Sequence, residues 1–448
     1  MEKLTKDAID LEKAGLFGLF SKFFIPTLLG MLCMSAVTAI DGIFIGHGVG
    51  ADGIAAVNIC VPIFMLGTGI GLMVGAGCSV VASIHLAEGK VKAARLNVTL
   101  AMIFSTICMA IPILAMMIFP SETGRLLGAS DELLPMVKEY MMWFMPGIVC
   151  QMWAAVGLFV IRLDGSPKYA MYCNLVTAVV NAFLDWFLIF PMGWGLMGAA
   201  LASSLAMTLG GVMALGYLLF SAKTLWLQRL KWSFRSLRYS LRNIGYQCKI
   251  GSPAFIGEIT MAVFAFMGNQ VFMHYLGDNG VGAFGIACYY TPFCFMVGNA
   301  IAQSAQPIIS YNFGLGNLQR VSKTLRIALG TATCCGLLST LAFCLFPHLL
   351  VGLFVDPECE AGRLAIEGFP YFSMGFVFFI INLTFVGYYQ SIERVGKATA
   401  YSLIRGFLYL VPSFLIMPLL LGEKGIWLAL GVSELLTTCT ILMVRKLR

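Results

Sequence analysis

Charged residues are scarce in this chain of 448 residues, because Asp, Glu, Lys and Arg together make up only 11% of it. A soluble domain carries about 25% charged residues. Hydrophobic residues make up 59% of the sequence, and an apolar surface of that extent cannot be kept from water inside one chain. The shortage of charge therefore excludes a soluble globular protein and predicts an integral membrane protein.

The motifs of several enzyme classes are absent from the sequence. There is no G-x-x-x-x-G-K-[ST] phosphate-binding loop, which argues against a nucleotide-driven motor. There is neither a G-x-S-x-G motif nor an H-E-x-x-H motif. The four histidines lack metal-ligand spacing, and the 14 cysteines include no C-x-x-C pair. We therefore expect no enzyme activity, no structural metal site, no disulfide framework and no bound cofactor.

Long apolar runs fill most of the remaining sequence. A membrane-spanning helix needs about 20 predominantly apolar residues. The runs of that length cover residues 18–45, 55–84, 96–119, 136–162, 168–190, 196–221, 247–273, 281–311, 325–352, 364–391, 397–421 and 425–444. The sequence thus predicts an all-α integral membrane protein with 12 transmembrane helices.

The two halves of the sequence are related by an internal repeat. Shifting residues 26–101 by 227 positions places them on 253–328 without a gap, and the coinciding residues include a proline, a histidine and several glycines. Duplicated halves are a hallmark of secondary transporters, whose binding site lies between two repeats that move against each other. We expect an N-lobe at 1–221 and a C-lobe at 247–448, each with six helices.

The predicted linker between the lobes, residues 222–246, is basic. It holds six Lys or Arg residues and no acid, with tryptophans interleaved, which is typical of an amphipathic segment lying on anionic lipid.

Pro26 and Pro253 occupy equivalent positions in the first helix of each half. Proline kinks a helix, so these two residues are either hinges between conformations or fixed bends that serve packing.

The distribution of Lys and Arg predicts the orientation in the membrane. If the N-terminus is cytoplasmic, 24 of the 29 basic residues fall on the cytoplasmic side, as the positive-inside rule requires. We therefore expect a multi-pass protein of the cytoplasmic membrane with both termini inside. The net charge of +7 reflects this same rule and indicates no nucleic-acid partner.

Four acids lie more than three residues from the ends of the predicted spans, namely Asp41, Asp185, Glu258 and Glu434. Ionisable groups are costly in a bilayer, so each is a candidate functional residue. Asp41 and Asp185 lie at similar depth in the outer halves of their helices, and Asn181 is one turn from Asp185. This grouping predicts a site for a proton or Na⁺, with a mere interfacial or capping role for Asp41 as the alternative.

Glu258 and Glu434 lie in the middle of the seventh and twelfth predicted helices. Each either faces the substrate cavity and attracts a cation, or is tied to a neighbouring polar group. The four acids outnumber Arg405, the clear intramembrane base, so we expect the cavity to favour cationic substrates.

Four segments carry a resemblance to a known family. They are IDGIFIGHGVGADGIAAV (40–57), NAFLDWFLIFPMGWGLMGAALASSLA (181–206), YNFGLGNLQRV (311–321) and QSIERVGKA (390–398). In this order the segments resemble those of the multidrug and toxic compound extrusion (MATE) transporters. The resemblance implies a V-shaped pair of six-helix lobes around a central cavity, exporting mostly cationic amphiphiles in exchange for H⁺ or Na⁺.

The resemblance also implies roles for particular residues. Asp41, Asn181 and Asp185 match the coupling-ion site of one branch of the family. Looser matches to that site are Tyr140, Ser203 and Ser204. A second branch uses a Glu in helix 7 with an Asp in helix 10, but here Glu258 is displaced by about one turn and helix 10 contains no Asp.

We therefore expect an ion-coupled antiporter for small-molecule drugs or toxic compounds, surrounded by membrane lipids and monomeric. The alternative is a flippase for lipid-linked saccharides in a related fold. A flippase would need a cationic cavity to hold pyrophosphate, and Arg405 is the only clear base inside a span.

Overall fold

The computed structural model describes residues 10–229 and 234–446, which are almost entirely helical. Within these residues, 11 helices are long and apolar enough to cross a membrane. The count becomes 12 when the bent pair Glu360–Ser373 and Phe376–Ser391 is taken as one span. The predicted all-α membrane architecture is confirmed.

The helices of the first half are followed by a π-helical turn at Tyr217–Ser221. They are α1 (Leu16–Gly48), α2 (Ala51–Ala87), α3 (Val91–Ile118), α4 (Pro120–Leu126), α5 (Leu134–Leu163), α6 (Pro167–Ile189) and α7 (Gly195–Gly216). Those of the second half are α8 (Phe234–Gly314), α9 (Leu318–Leu345), α10 (Pro347–Gly352), α11 (Glu360–Ser373), α12 (Phe376–Ser391), α13 (Val395–Leu403), a π-helical turn (Ile404–Tyr409), α14 (Leu410–Leu421) and α15 (Glu423–Lys446).

The described residues form two compact units. Unit 1 contains the residues up to Ser252 together with Ser310–Asn317, and unit 2 contains Pro253–Ile309 together with the residues from Leu318 onward. The boundary at Pro253 therefore falls inside α8. Non-helical backbone at Gly277 divides α8 into two arms that are each long enough to be a span, Arg238–Gly277 and Asn279–Gly314.

The internal repeat is visible in the backbone. Gly50 and Gly277, which are 227 residues apart, both have positive φ, at 94° and 63°. Two further pairs with the same spacing also have positive φ, namely Gly89 with Gly316 (74° and 73°) and Gly195 with Gly422 (52° and 59°). Only glycine adopts such backbone angles without strain. The duplication therefore extends further along the chain than the ungapped sequence match.

The ends of α2 and α8 show how closely the two repeats agree. After α2, the Lys90 N–H donates to the His85 carbonyl at 2.7 Å, across the left-handed Gly89. After α8, the Asn317 N–H donates to the Asn312 carbonyl at 2.9 Å. Both are the long-range bond of a Schellman motif, in which a glycine ends a helix by reversing the chain.

Two predicted spans differ from the structure. The span at 325–352 is divided, because α9 ends at Leu345 and the short helix α10 begins at Pro347. The sequence predicts an unbroken helix at 364–391, but α11 and α12 meet at an angle of 47°. Thr340 Oγ1 donates to the Ser373 carbonyl at 2.7 Å, which provides a partner outside the helix for that backbone group. Gly375 also lies against the backbone of Gly431, where a side chain on either residue would be crowded. The bend thus follows from packing against neighbouring helices.

The predicted basic linker begins as extended chain fixed to unit 1. The backbone N–H groups of Lys223, Thr224 and Leu225 donate to the Asp164 carboxylate at 2.7–2.9 Å. The Arg95 guanidinium lies 3.1 Å from the Trp226 ring centre. Residues 230–233 of the linker lie outside the described residues, and α8 begins at Phe234.

Candidate functional site

An acidic pair forms where α1 and α6 pack together in unit 1. The carboxyl groups of Asp41 on α1 and Asp185 on α6 are close enough to share a hydrogen bond. Asp185 is buried, with 1% of its surface exposed, and Asp41 is half-buried. Gly30 brings the two helices together, since a Cβ there would lie 3.0 Å from the Asn174 Nδ2 atom. Two carboxylates this close repel each other unless a proton or another cation lies between them.

Asn181 joins the pair from the same face of α6. Its Nδ2 group donates to Asp185 Oδ2 at 2.9 Å and makes a longer contact of 3.5 Å with Ser203 Oγ on α7. A spacing of four residues places Asn181 and Asp185 one turn apart on a helix. Within the described residues, Asp41 Oδ1 and Asp185 Oδ1 are buried without a hydrogen-bond partner. Both acids therefore keep an oxygen that can accept a proton or coordinate a cation.

Tyr140 on α5 and Ser204 on α7 complete the surroundings. Tyr140 is 5% exposed, lies near enough to interact electrostatically with both acids, and stacks on Phe144 with ring centres 4.9 Å apart. Ser204 is buried against Gly147, where α5 and α7 approach closely. The site is therefore assembled by α1, α5, α6 and α7, and all six residues expected at an ion site lie on these helices.

The packing around this site is apolar. Buried hydrophobic residues of the four helices form one cluster with it, including Ile45, Met141, Ile189, Leu196 and Ala200. Such packing keeps the local dielectric constant low, and charges interact more strongly there than in water. A change in the charge of the acidic pair therefore has a large effect on the electrostatic energy between the helices that carry it.

The two remaining intramembrane acids lie in unit 2 and differ from each other. Glu258, on the first arm of α8, is half-buried, and no hydrogen bond or ion pair involves it among the described residues. Glu434 on α15 is 1% exposed and is held by Arg405 and Asn382. The sequence leaves open whether Glu434 faces the substrate cavity or bonds to neighbouring polar groups, and in the structure it bonds to polar groups.

The two prolines occupy different settings. Pro26 lies inside α1, which continues unbroken to Gly48. Pro253 lies on the boundary between the two units. Hinge motion at either residue stays a prediction.

Asn382 and Thr438, which surround Glu434, are not predicted as site residues by the sequence. Their only sequence signal is that they are isolated polar residues within apolar runs.

The described residues contain no cluster of three or more His, Cys, Asp or Glu side chains that could hold a metal ion. The acidic pair offers a different kind of site. Its oxygens come from two carboxylates, with the hydroxyls of Ser203 and Tyr140 nearby. Oxygen atoms of this kind are hard ligands, which alkali cations prefer.

Comparison with known proteins identifies the family. The family model MatE matches residues 26–187 and 253–415, one stretch in each half of the chain. The chain belongs to the MatE family. It is thus a multi-pass membrane protein of the MATE group of multidrug efflux transporters, and the duplicated match agrees with the backbone repeat.

Individual relatives are similar over nearly the whole chain. The multidrug export protein MepA of Staphylococcus aureus is 24% identical, with 98% of this chain and 95% of that protein covered. The FAD transporter of Shewanella oneidensis is 26% identical, with 92% and 90% covered. A multidrug resistance MATE family transporter solved in an outward-facing conformation superimposes with a TM-score of 0.91 at 21% identity, covering 100% of this chain and 98% of that one. At that identity the structural match establishes the MATE fold alone.

Proposed function

We propose that this chain is an antiporter that exports amphiphilic, mostly cationic small molecules in exchange for H⁺ or Na⁺ bound at Asp41 and Asp185. The observation that carries the proposal is the arrangement of these two acids. They lie on different helices, their carboxyl groups are close enough to share a hydrogen bond, and each keeps a buried oxygen without a partner. An acidic pair in apolar surroundings at membrane depth is a functional site by default.

The geometry suggests how ion binding would act on the protein. With one proton or Na⁺ between them, the two carboxyl groups attract each other and hold α1 against α6. When that cation leaves, two negative charges face each other at low dielectric constant, and separating the helices lowers their energy. Ion binding at this site would therefore bias the position of α1. Export follows if the two positions of α1 differ in their affinity for the substrate.

The same site could take either coupling ion. A proton needs only the acidic pair, whereas Na⁺ needs several oxygen ligands, which Asn181, Ser203 and Tyr140 could supply alongside the carboxylates. We further propose that the protein works as a monomer in the cytoplasmic membrane with both termini inside. The exchanged ion would then enter from outside and leave into the cytoplasm.

The test uses purified protein reconstituted into liposomes. Export of ethidium, a cationic dye, is followed under an imposed pH gradient and, separately, under an imposed Na⁺ gradient. We expect one of the gradients to drive transport in the wild type and neither to drive it in Asp185→Asn. Glu88→Gln is the matched control, because Glu88 is an exposed acid that pairs with Lys90 outside the spans. Gradient-driven export by Asp185→Asn at the wild-type rate would refute the proposal.

No observation favours the flippase alternative. A flippase for pyrophosphate-linked sugars needs a free cationic side chain in its cavity. Arg405, the clear intramembrane base, is already paired with Glu434 at 2.6 Å, and both side chains are almost completely buried. Better export of anionic than of cationic dyes in the liposome assay would favour the flippase over the antiporter.

A further inference from the structure

Unit 2 contains a buried ion pair that the transport cycle described above does not use. Arg405 lies on the π-helical turn Ile404–Tyr409, and its Nε group donates to Glu434 Oε1 at 2.6 Å. Asn382 on α12 donates to Glu434 Oε2 at 2.7 Å. The exposed fractions of the Arg405 and Glu434 side chains are 3% and 2%. Both carboxylate oxygens of Glu434 are therefore occupied by donors from the chain itself.

A second layer of contacts fixes these donors. Thr438 Oγ1 donates to Asn382 Oδ1 at 2.8 Å, which orients the amide so that its Nδ2 group points at Glu434. The Arg405 guanidinium lies 4.3 Å from the ring centre of Phe379. An arginine between a carboxylate and an aromatic ring is held by both its charge and its flat face. The pair is thus a rigid arrangement.

The pair lies on the helices of unit 2 that correspond to the site helices of unit 1. Gly195 begins α7 and Gly422 directly precedes α15; both have positive φ, and they are 227 residues apart. By that spacing, Glu434 corresponds to Met207 on α7, one turn beyond Ser203. Arg405 corresponds to the turn of α6 that precedes Asn181. Arg405 is therefore on the counterpart of the helix that carries Asp185, whereas Glu434 is on the counterpart of α7, which carries Ser203 and Ser204.

We propose that Glu434 and Asn382 form a cation site whose permanent occupant is the Arg405 guanidinium. In chemical terms, the guanidinium takes the place that a proton or Na⁺ would otherwise fill. Arginine is not deprotonated in proteins, so this occupant is never released. Arg405 therefore prevents Glu434 from binding an exchangeable ion. That second statement rests on the proposed coupling at Asp41 and Asp185, whereas the occupancy of Glu434 by Arg405 does not.

The physical argument predicts what removal of the occupant does. Removing one partner of a buried ion pair leaves an uncompensated charge, which is strongly unfavourable. A buried carboxylate in that position neutralises itself by taking up a proton or another cation. Replacing both partners with neutral residues of similar size removes the need for a counter-ion, because no buried charge is left. The proposal thus separates the single variant from the double variant.

The experiment counts ions bound by purified protein in detergent. Protons released between neutral and alkaline pH are measured by potentiometric titration, and bound Na⁺ is measured by equilibrium binding of the radioactive ion. The variants are Arg405→Met, Arg405→Met with Glu434→Gln, and Arg405→Lys, which keeps the charge. Each is made in an Asp41→Asn, Asp185→Asn background, so that the unit 1 site does not contribute. Glu258 is present in every variant and cancels in the differences.

We expect Arg405→Met to bind one more proton or Na⁺ per molecule than its parent. The double variant should match the parent in both counts, and Arg405→Lys, whose ammonium itself releases a proton at alkaline pH, should match the parent in bound Na⁺. Equal counts for Arg405→Met and the double variant would overturn the proposal, because the added ion would then not belong to Glu434. A structural role for the pair alone predicts lower stability but no change in the count.

A second measurement applies if Arg405→Met does not fold. In the otherwise wild-type protein, Glu434→Gln should leave the number of exchanged ions unchanged, and a lower number would overturn the proposal. Failure of the coupling proposal looks different: the ion count of the wild type would then persist in the Asp41→Asn, Asp185→Asn background with Arg405 unchanged.

Discussion

The two units of this protein share a backbone plan but differ in how they treat buried charge. In unit 1, Asp41 and Asp185 face each other, and each keeps an oxygen without a partner. In unit 2, Glu434 has both oxygens occupied, one of them by the Arg405 guanidinium. The first arrangement leaves two acids without a basic partner in contact, and the second pairs its acid with a base. The comparison teaches that one duplicated scaffold can carry an acidic pair in one copy and an acid paired with a base in the other.

The features that the two units share are those that the fold itself requires. Gly89 and Gly316 end equivalent helices with left-handed backbone, which other residues adopt only with strain. Gly71 and Gly298 lie where a neighbouring helix leaves no room for a side chain, against Ala155 and Leu383. Charged residues are not needed for these contacts. The two halves therefore differ in their buried charges although their backbones are alike.

The largest effect is expected from neutralising the acidic pair. Asp185→Asn and Asp41→Asn should each abolish gradient-driven efflux, because the site then lacks the charge that captures the ion. Folding and surface expression should persist, since an amide can still make hydrogen bonds at these positions. Efflux of ethidium from energised cells, together with the amount of protein in isolated membranes, measures both. Retained efflux in well-folded Asp185→Asn would remove the functional difference between the units.

The second effect concerns the stability of unit 2. Arg405→Met should lower the free energy of unfolding by about 3–5 kcal/mol, because Glu434 is then buried without its counter-charge. Adding Glu434→Gln should recover most of that loss, since replacing a buried pair with neutral residues is often harmless. Denaturant unfolding in detergent measures both variants. A double variant as unstable as the single one would show that packing against Phe379 matters more than charge.

A smaller effect is expected from the glycines that define the repeat. Gly89→Ala and Gly316→Ala should each destabilise the protein by roughly 1–2 kcal/mol, because alanine is strained at φ near +70°. Neither site has an atom within 4 Å of an added Cβ, so backbone strain should be the whole effect. The two losses should therefore be equal. Gly396→Ala, in a helix with open space beside it, is the control and should be neutral or slightly stabilising. Unequal losses at 89 and 316 would show that the two repeats are not energetically equivalent.

The sequence predicts the scaffold far better than the charge partners. The spans follow from the length of apolar runs, and the repeat follows from residues that coincide after one shift. The ion pair of Arg405 and Glu434 could not be predicted in this way. The two residues are 29 positions apart on different helices, and their meeting depends on how each helix is rotated.

The bend between α11 and α12 was missed for a related reason. The apolar run through this region is continuous, so composition alone predicts one straight helix. The break depends on Thr340, which comes from a different helix and donates to the Ser373 carbonyl. Asp41 and Asp185 are the contrasting case, because their similar depth in the sequence already placed them together. Their role in ion binding stays a prediction, since proximity alone does not show which ion they hold.

The smallest effects on transport separate supporting residues from the acidic pair. Asn181→Ala removes one hydrogen bond to Asp185, and a hydrogen bond to a charged group contributes about 1.5–3 kcal/mol. It should therefore slow ion-driven efflux by roughly ten- to hundredfold without abolishing it. Glu258→Gln should be milder still. Glu258 lies in unit 2, and no hydrogen bond or ion pair joins it to the other described residues, so its loss leaves no partner unsatisfied. Initial rates of dye efflux in liposomes, compared at equal protein content, rank the three variants. If Glu258→Gln were the only inactive variant, the exchanged ion would bind in unit 2, and the difference between the units would run in the opposite direction.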